Sequence, residues 1–238
     1  MRDSIVVIPT FNEIENIETV IRTVFNETNH IDILVVDDNS PDKTANKVIE
    51  LQKEFKDKLF LEVRSEKSGL GTAYIHGFKW CLFRHYDYIF EMDADLSHNP
   101  KDLNRLYEKV REEADIAIGS RYVKGVNVVN WPLGRILLSY GASMYVRLIT
   151  GMRIKDPTAG FIVYKREVLE QIDLDKIQFV GYAFQIEMKY KAFLKNFKII
   201  EVPIIFTDRI KGQSKMSSNI ISEAVLGVLK LRMNSTFK

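Results

Sequence analysis

Short runs of β-branched and aliphatic residues alternate along this chain with segments whose apolar positions recur every three or four residues. Residues 4–8 read as a strand. After it, Ile14, Ile17, Ile21 and Val24 share one helical face, with Asn12 as the expected N-cap and Glu15 three residues on. Residues 31–37 are nearly all apolar, as a strand covered on both faces is. Asn39-Ser40-Pro41-Asp42 opens the next helix, with Pro41 suited to its first position and Val48, Ile49, Gln52 and Phe55 following. Residues 59–64 form a third strand, and a turn at Gly69-Leu70-Gly71 leads into a helix that reaches about Arg84. Residues 88–93 are a fourth strand, Asn99-Pro100 starts another helix, and residues 115–119 are a fifth strand, after which the alternation loses its regularity. Such alternation predicts βαβ units: an α/β chain with a Rossmann-like, mostly parallel central sheet flanked by helices.

Two later segments differ. Residues 134–149 are rich in Ile, Leu, Tyr, Met and Val yet include Arg135 and Arg147, and Ile220, Ile221, Ala224, Val225, Val228 and Leu229 form one helical face near the end. Each suits a helix lying at a membrane surface, and each equally suits a helix packed on its own sheet. Residues 1–217 are read as one catalytic domain and residues 218–238 as a C-terminal amphipathic helix and tail, because no low-complexity tract or linker divides the 238 residues elsewhere.

Composition narrows the partners. With 46% hydrophobic and 28% charged residues the chain is an ordinary globular protein, and a net charge of +2 is too small to imply nucleic acid. No stretch reaches the roughly 18 uninterrupted apolar residues of a spanning helix, and the first apolar run is too short for a signal peptide. The expectation is a cytoplasmic protein that meets a membrane only from its surface. A single cysteine, Cys81, excludes an internal disulfide and fits a reducing compartment.

The fourth strand runs out into Asp93-Ala94-Asp95. On an extended backbone residues i and i+2 point the same way, so the two carboxylates can converge on one hard divalent cation such as Mg²⁺ or Mn²⁺. An isolated Asp-x-Asp is equally a pair of solvated aspartates at a strand end. An EF-hand is excluded, because His98 and Asn104 stand where its Gly and Glu belong. The four histidines lack zinc-ligand spacing. Gly69-Leu70-Gly71 has neither Walker nor dinucleotide spacing and reads as a packing turn. Ligands in open parallel sheets gather outside the carboxyl ends of strands. There this chain places Pro9-Thr10-Phe11-Asn12-Glu13, Asp37-Asp38-Asn39-Ser40, Asp93-Ala94-Asp95-Leu96-Ser97-His98 and Gly119-Ser120-Arg121-Tyr122. Acidic groups able to hold a ribose and a metal, beside arginines able to hold phosphate, describe a nucleotide-diphosphate pocket.

In that order these four segments resemble the motifs of the family 2 glycosyltransferases. With Trp131 and Arg135, Asp156-Pro157-Thr158-Ala159-Gly160-Phe161, Gly181 through Glu187 and Arg209 through Met216, they resemble more narrowly the polyprenyl-phosphate (dolichyl-phosphate) mannosyltransferases. The resemblance implies a glycosyltransferase A fold. It implies an inverting transfer of mannose from GDP-mannose to a polyprenyl phosphate at the cytosolic membrane face. It implies that Pro9, Phe11, Glu13, Asp38 and Asp93 bind the nucleotide, that Asp95 is the main metal ligand beside Asp93, and that Arg121, Arg135, Arg209 and Lys215 meet the donor diphosphate and the acceptor phosphate. Ser97 stands where some members place Gln as a further ligand, so a shorter hydroxyl serves there, directly or through water. Glu187 is ambiguous between orienting a sugar hydroxyl, assisting the acceptor and pairing with a neighbouring arginine. UDP-glucose as donor, a nucleotidyltransferase on the same architecture and a non-catalytic nucleotide-sugar-binding subunit are the alternatives, separated by which product is released or whether any is.

Overall fold

A computed structural model of the chain describes residues 3–181, 183–209 and 218–236. Its centre is a seven-stranded sheet in the order β3-β2-β1-β4-β7-β5-β8, made of β1 (Ser4–Thr10), β2 (Ile31–Asp37), β3 (Leu59–Val63), β4 (Tyr88–Glu91), β5 (Ile116–Ser120), β7 (Ile162–Lys165) and β8 (Ile199–Pro203). Only β7 runs antiparallel, between β4 and β5. A two-stranded parallel sheet, β6 (Val128–Val129) with β9 (Phe206–Thr207), sits apart from it.

Alternation along β1 sets the layers. Ile5 and Val7 face a core with Tyr74, Phe78, Tyr164 and Phe184, whereas Val6 and Ile8 face the opposite core with Ile17, Ile21, Val24 and Leu106. The second core is covered by α1 (Ile17–Glu27), α2 (Thr44–Gln52) and α4 (Asp102–Glu112), and the first by α3 (Leu70–Phe83), α6 (Arg166–Gln171) and α7 (Ala183–Leu194). Each fully buried Ile, Val or Leu contributes roughly 1.5–3 kcal/mol. The buried stripe of α1, made of Ile17, Val20, Ile21 and Val24, is therefore enough to seat a helix with no side-chain N-cap.

Several expected element starts shift, for one reason. Asn12 is not an N-cap: its φ of 57° turns the chain back, and the helix begins at Ile17. Pro41 is not the first residue of α2, which starts at Thr44 after Lys43 at φ 70°. Asp42 instead accepts hydrogen bonds from the N–H groups of Ile14 and Thr44, stitching the loops after β1 and β2 together. β4 ends at Glu91, two residues before Asp93. In each case two to four residues that pattern reading gives to an element are spent on the loops at the carboxyl edge.

The glycine turn serves packing. Gly69 lies at φ 102°, and a Cβ added at Gly71 would stand 2.8 Å from the Phe184 ring and 3.0 Å from the Phe179 carbonyl. Gly71→Ala is expected to cost about 1–3 kcal/mol of stability by overpacking, read as a lower urea midpoint with an unchanged slope.

The two outlying segments become α5 (Leu133–Thr150) and α8 (Ser218–Thr236), which pack on each other. On α5 the protein-facing side is Ser143, Val146 and Thr150, while Leu133, Leu137, Leu138, Tyr140, Met144 and Leu148 are exposed, Leu148 by 82%. Most of the apolar face is thus turned away from the sheet. On α8 Val228 and Leu231 are buried and Val225, Leu226, Leu229 and Met233 exposed, so the expected single apolar face is divided; the side chains of Ile220, Ile221 and Ala224 lie outside the described residues. Among the described residues no helix is long and apolar enough to cross a membrane.

Candidate active site

The carboxyl ends of β1 and β2 are tied by Asp37, which is fully buried and accepts from Thr10 Oγ1 at 2.7 Å and from Ser40 N and Oγ at 2.8 and 2.6 Å. This anchoring presents the next residue, Asp38, to the cleft. Its Oδ1 accepts from Arg64 Nε at 2.6 Å, and Arg64 Nη1 donates to Thr72 Oγ1 at 2.8 Å. Glu13, also buried, accepts from Asn16 Nδ2 at 3.0 Å, and the Lys67 ammonium lies 4.4 Å from the Phe11 ring centroid. Pro9, Phe11, Glu13 and Asp38 therefore stand at neighbouring strand ends, as the sequence predicts.

Asp93 and Asp95 come together in a different way from that expected. They lie beyond β4, in a turn closed by Leu96 at φ 62°, so strand alternation does not align them. Ser97 N–H donates to Asp95 Oδ1 at 3.0 Å, and Arg209 Nη2 meets Asp95 Oδ2 at 2.8 Å. Burial opposes ionisation of Asp95, but the Ser97 contacts and the Arg209 charge hold its carboxyl below the ordinary range. Asp93 responds the other way: burial, and then the Asp95 charge, push it up to about 7, with Glu13 and Glu91 adding to the repulsion. Among the described residues Ser97 Oγ is buried with no hydrogen-bond partner beyond its contact with the Asp95 carboxylate.

His98 shapes this turn. Its Nδ1 accepts from Asp93 N–H at 3.2 Å, its ring stacks on Phe161 at 4.8 Å, and burial lowers its pKa to about 4, so it is a neutral acceptor.

The arginines arrive from distant parts of the chain. Pairing of Val128 with Phe206 in the small sheet, with Thr207 N–H bonded to Ser97 O at 3.3 Å, docks the 206–209 segment on the acidic turn. Arg135 pairs with Asp208 at 2.7 Å and lies 3.9 Å from the Trp131 ring centroid. Arg121 uses Nε and Nη2 on the fully buried Asp156, at 2.8 and 2.6 Å, and its guanidinium stands 5.5 Å from the Trp131 ring. Arg121 and Arg135 thus flank the Trp131 ring, which packs against Phe206, and Arg121, Arg135 and Arg209 are each held by a carboxylate. Lys215 lies outside the described residues.

Glu187 does not reach this cleft's acids. It is fully buried, its Oε2 accepts from the N–H groups of Gln178 and Phe179 at 2.8 and 3.0 Å, and its Oε1 meets Lys191 at 3.1 Å, so its charged partner is a lysine and not an arginine. Sequence reasoning names His98 and Gln185 only inside longer motifs and assigns no role to Arg64, Asp208, Glu91 or Lys189; Glu91, Gln185 and Lys189 form a buried layer in which Gln185 donates to Glu91 and Lys189 Nζ to Ala159 O at 2.6 Å. A charged residue inside an apolar strand, as Glu91 is, was the available signal. For Asp208 the neighbouring Arg209 was the only one.

Residues 5–173 match the profile of Glycosyl transferase family 2. The chain is 47% identical over 225 residues to a polyprenol monophosphomannose synthase of Mycolicibacterium smegmatis, covering 94% of this chain and 85% of that protein. It is 44% identical over 224 residues to an undecaprenyl-phosphate mannosyltransferase of Micrococcus luteus, covering 94% and 91%. Its fold matches that of glucosyl-3-phosphoglycerate synthase from Mycobacterium tuberculosis, solved with Mn²⁺, UDP and glucosyl-3-phosphoglycerate. The TM-score is 0.70 at 18% identity, over 98% of this chain and 80% of that one. The sheet is that of the glycosyltransferase A fold, with its acidic turn at the carboxyl edge as read from the sequence. The chain belongs to glycosyl transferase family 2.

Proposed function

We propose that this protein transfers mannose from GDP-mannose to a polyprenyl phosphate, with inversion at the anomeric carbon, while bound peripherally at the cytosolic membrane face. The observation that carries the reading is the convergence of Asp93, Asp95 and Ser97 with Arg209 at the carboxyl edge of the sheet, in a chain whose relatives are named for this class of transfer. Pro9, Phe11, Glu13 and Asp38 hold the base and ribose. Arg121, Arg135 and Arg209, with Lys215 by resemblance, meet the two phosphate groups.

The donor set suits a divalent cation. Two crowded carboxylates and the buried hydroxyl beside them are hard oxygen ligands, few enough to leave positions for substrate phosphates, as Mg²⁺ or Mn²⁺ prefers. When bound, the ion supplies Lewis-acid stabilisation of the charge on the leaving diphosphate. The protein's own part is positional and electrostatic. Arg209 and Arg135, each fixed by an aspartate, present guanidinium groups where negative charge develops. The bond from the sugar carbon to the GDP oxygen breaks as one to the acceptor phosphate oxygen forms. That oxygen is already ionised near neutral pH, so no strong general base is needed, which agrees with Glu187 being engaged elsewhere. The exposed apolar face of α5 supports contact with the membrane.

Labelled GDP-mannose and UDP-glucose, offered separately with a short polyprenyl phosphate, test the proposal. Labelled lipid is expected from GDP-mannose, lost with EDTA and restored by Mn²⁺ or Mg²⁺. Labelling only from UDP-glucose would change the donor. Labelling indifferent to EDTA would remove the metal, and release of pyrophosphate from a nucleoside triphosphate would indicate a nucleotidyltransferase.

A further inference from the structure

Between α5 and the loops that follow β5 and α5 lies a cavity of about 300 Å³, lined by Tyr122, Tyr140, Ser143, Met144, Arg147 and Lys155. Tyr122, in its wall, is the neighbour of Arg121, whose guanidinium stands 5.3 Å from the Tyr122 ring. The cations in the cavity differ from those of the active site. Arg121, Arg135 and Arg209 are each matched to an aspartate. Arg147 and Lys155 pair with no carboxylate among the described residues: Lys155 Nζ donates to the Val123 carbonyl at 3.1 Å, and Arg147 Nε is buried without an acceptor. The carboxylate beside them, Glu201, is turned to the backbone N–H groups of Lys155 and Asp156 at 2.7 and 2.9 Å. A guanidinium left without an acceptor among the described residues, in a preformed cavity, is a site for an anion, and phosphate is one of the oxyanions its fork matches.

The cavity also continues into apolar surface. Tyr140 and Met144 line it and belong to the exposed stripe of Leu133, Leu137, Tyr140, Met144 and Leu148, spaced at three and four residues along α5. Two cations at the end of an apolar stripe fit an anion that carries hydrocarbon. This anion is distinct from the one proposed for the reaction. Arg135 and Arg147 are twelve residues apart on one helix, about 18 Å along its axis, too far for a single phosphate to meet both.

We propose that this cavity binds the phosphate of an anionic bilayer phospholipid, whose chains lie along the α5 stripe, so that α5 is held on the membrane by a headgroup as well as by its apolar face. Lys124, next in sequence to the lining residue Gly125, and Arg153, two residues before Lys155, are exposed and add positive charge. The inference rests on the membrane reading of α5 given above, and the experiment separates the two. Flotation with vesicles of phosphatidylcholine alone reads the apolar contact; vesicles with phosphatidylglycerol added, and no polyprenyl phosphate, read the headgroup site. Wild type is expected to bind the anionic vesicles at least tenfold more tightly. Arg147→Gln with Lys155→Gln should remove most of that increment, leaving binding to neutral vesicles, melting temperature and transfer to a short water-soluble prenyl phosphate unchanged. Leu137→Ser with Leu148→Ser should weaken binding to both vesicle types. Equal binding of wild type to both vesicles, or an undiminished increment in the Arg147/Lys155 variant, overturns the headgroup site. Loss of the increment to millimolar inorganic phosphate at constant ionic strength would show a free-phosphate site in its place. Absence of binding to any vesicle overturns the membrane reading and this one with it.

Discussion

Asp95→Asn is expected to lower the rate of sugar transfer about a hundred- to a thousandfold, the scale on which a preorganised charge in a buried site acts, while the protein remains folded. Asn keeps the shape and one carbonyl oxygen, so Ser97 N–H retains an acceptor. What is lost is the charge that faces Arg209 at 2.8 Å and would hold the metal. Loss of the ion pair with Arg209 costs stability, but the same charge adds to burial in raising Asp93, and its removal relieves that repulsion. The two terms oppose, so the melting temperature should move by only a few degrees. Single-turnover transfer and thermal unfolding on the same preparation check both halves. Transfer within tenfold of wild type would sink the assignment of Asp95 as main ligand. Asp38→Asn, by contrast, should act chiefly on donor affinity.

The second large effect lies one layer deeper. Asp156 is fully buried and accepts from Arg121 through N, Nε and Nη2, and Arg121 is itself 9% exposed. Removing one member of such a pair strands the other charge, at a cost of about 3–5 kcal/mol. Asp156→Ala should therefore lower unfolding free energy by that amount and slow transfer, because Arg121 loses the bidentate contact that fixes it beside Trp131. A double variant, Arg121→Met with Asp156→Leu, should recover much of the stability but none of the activity, since it replaces the pair by apolar volume. If Asp156→Ala melts like wild type, the pair does not hold this edge of the site. If the double variant transfers sugar normally, Arg121 has no part in the reaction.

Much of this was legible along the chain. The apolar runs of β1, β2 and β5 are long and buried on both faces, and the stripe of α1 repeats at helical spacing, so local pattern and tertiary role coincide there. β7 and β8 were not found. β7 has four residues and enters antiparallel between two strands that precede it, an arrangement no local period encodes. β8, with Glu201 in its middle, is half-buried at the sheet edge. The loop residues were misassigned to elements because Asn12, Lys43 and Leu96 adopt positive φ to turn the chain at the carboxyl edge, where hydrogen bonds between loops outweigh helix capping.

The order of segments along the chain was enough by itself to determine the α/β class and the family, because strand periodicity and the residues at strand ends are local properties; the turn that brings Asp93 and Asp95 together was not among them. The partnerships were decided only in three dimensions. Asp95 meets Arg209 because Val128 pairs with Phe206; Arg135 meets Asp208 by the same docking; Arg121 is locked by Asp156 because β7 inserts beside β5. Charges far apart in sequence carry no periodic trace of one another, and it is burial at a shared edge that makes each of them require a partner.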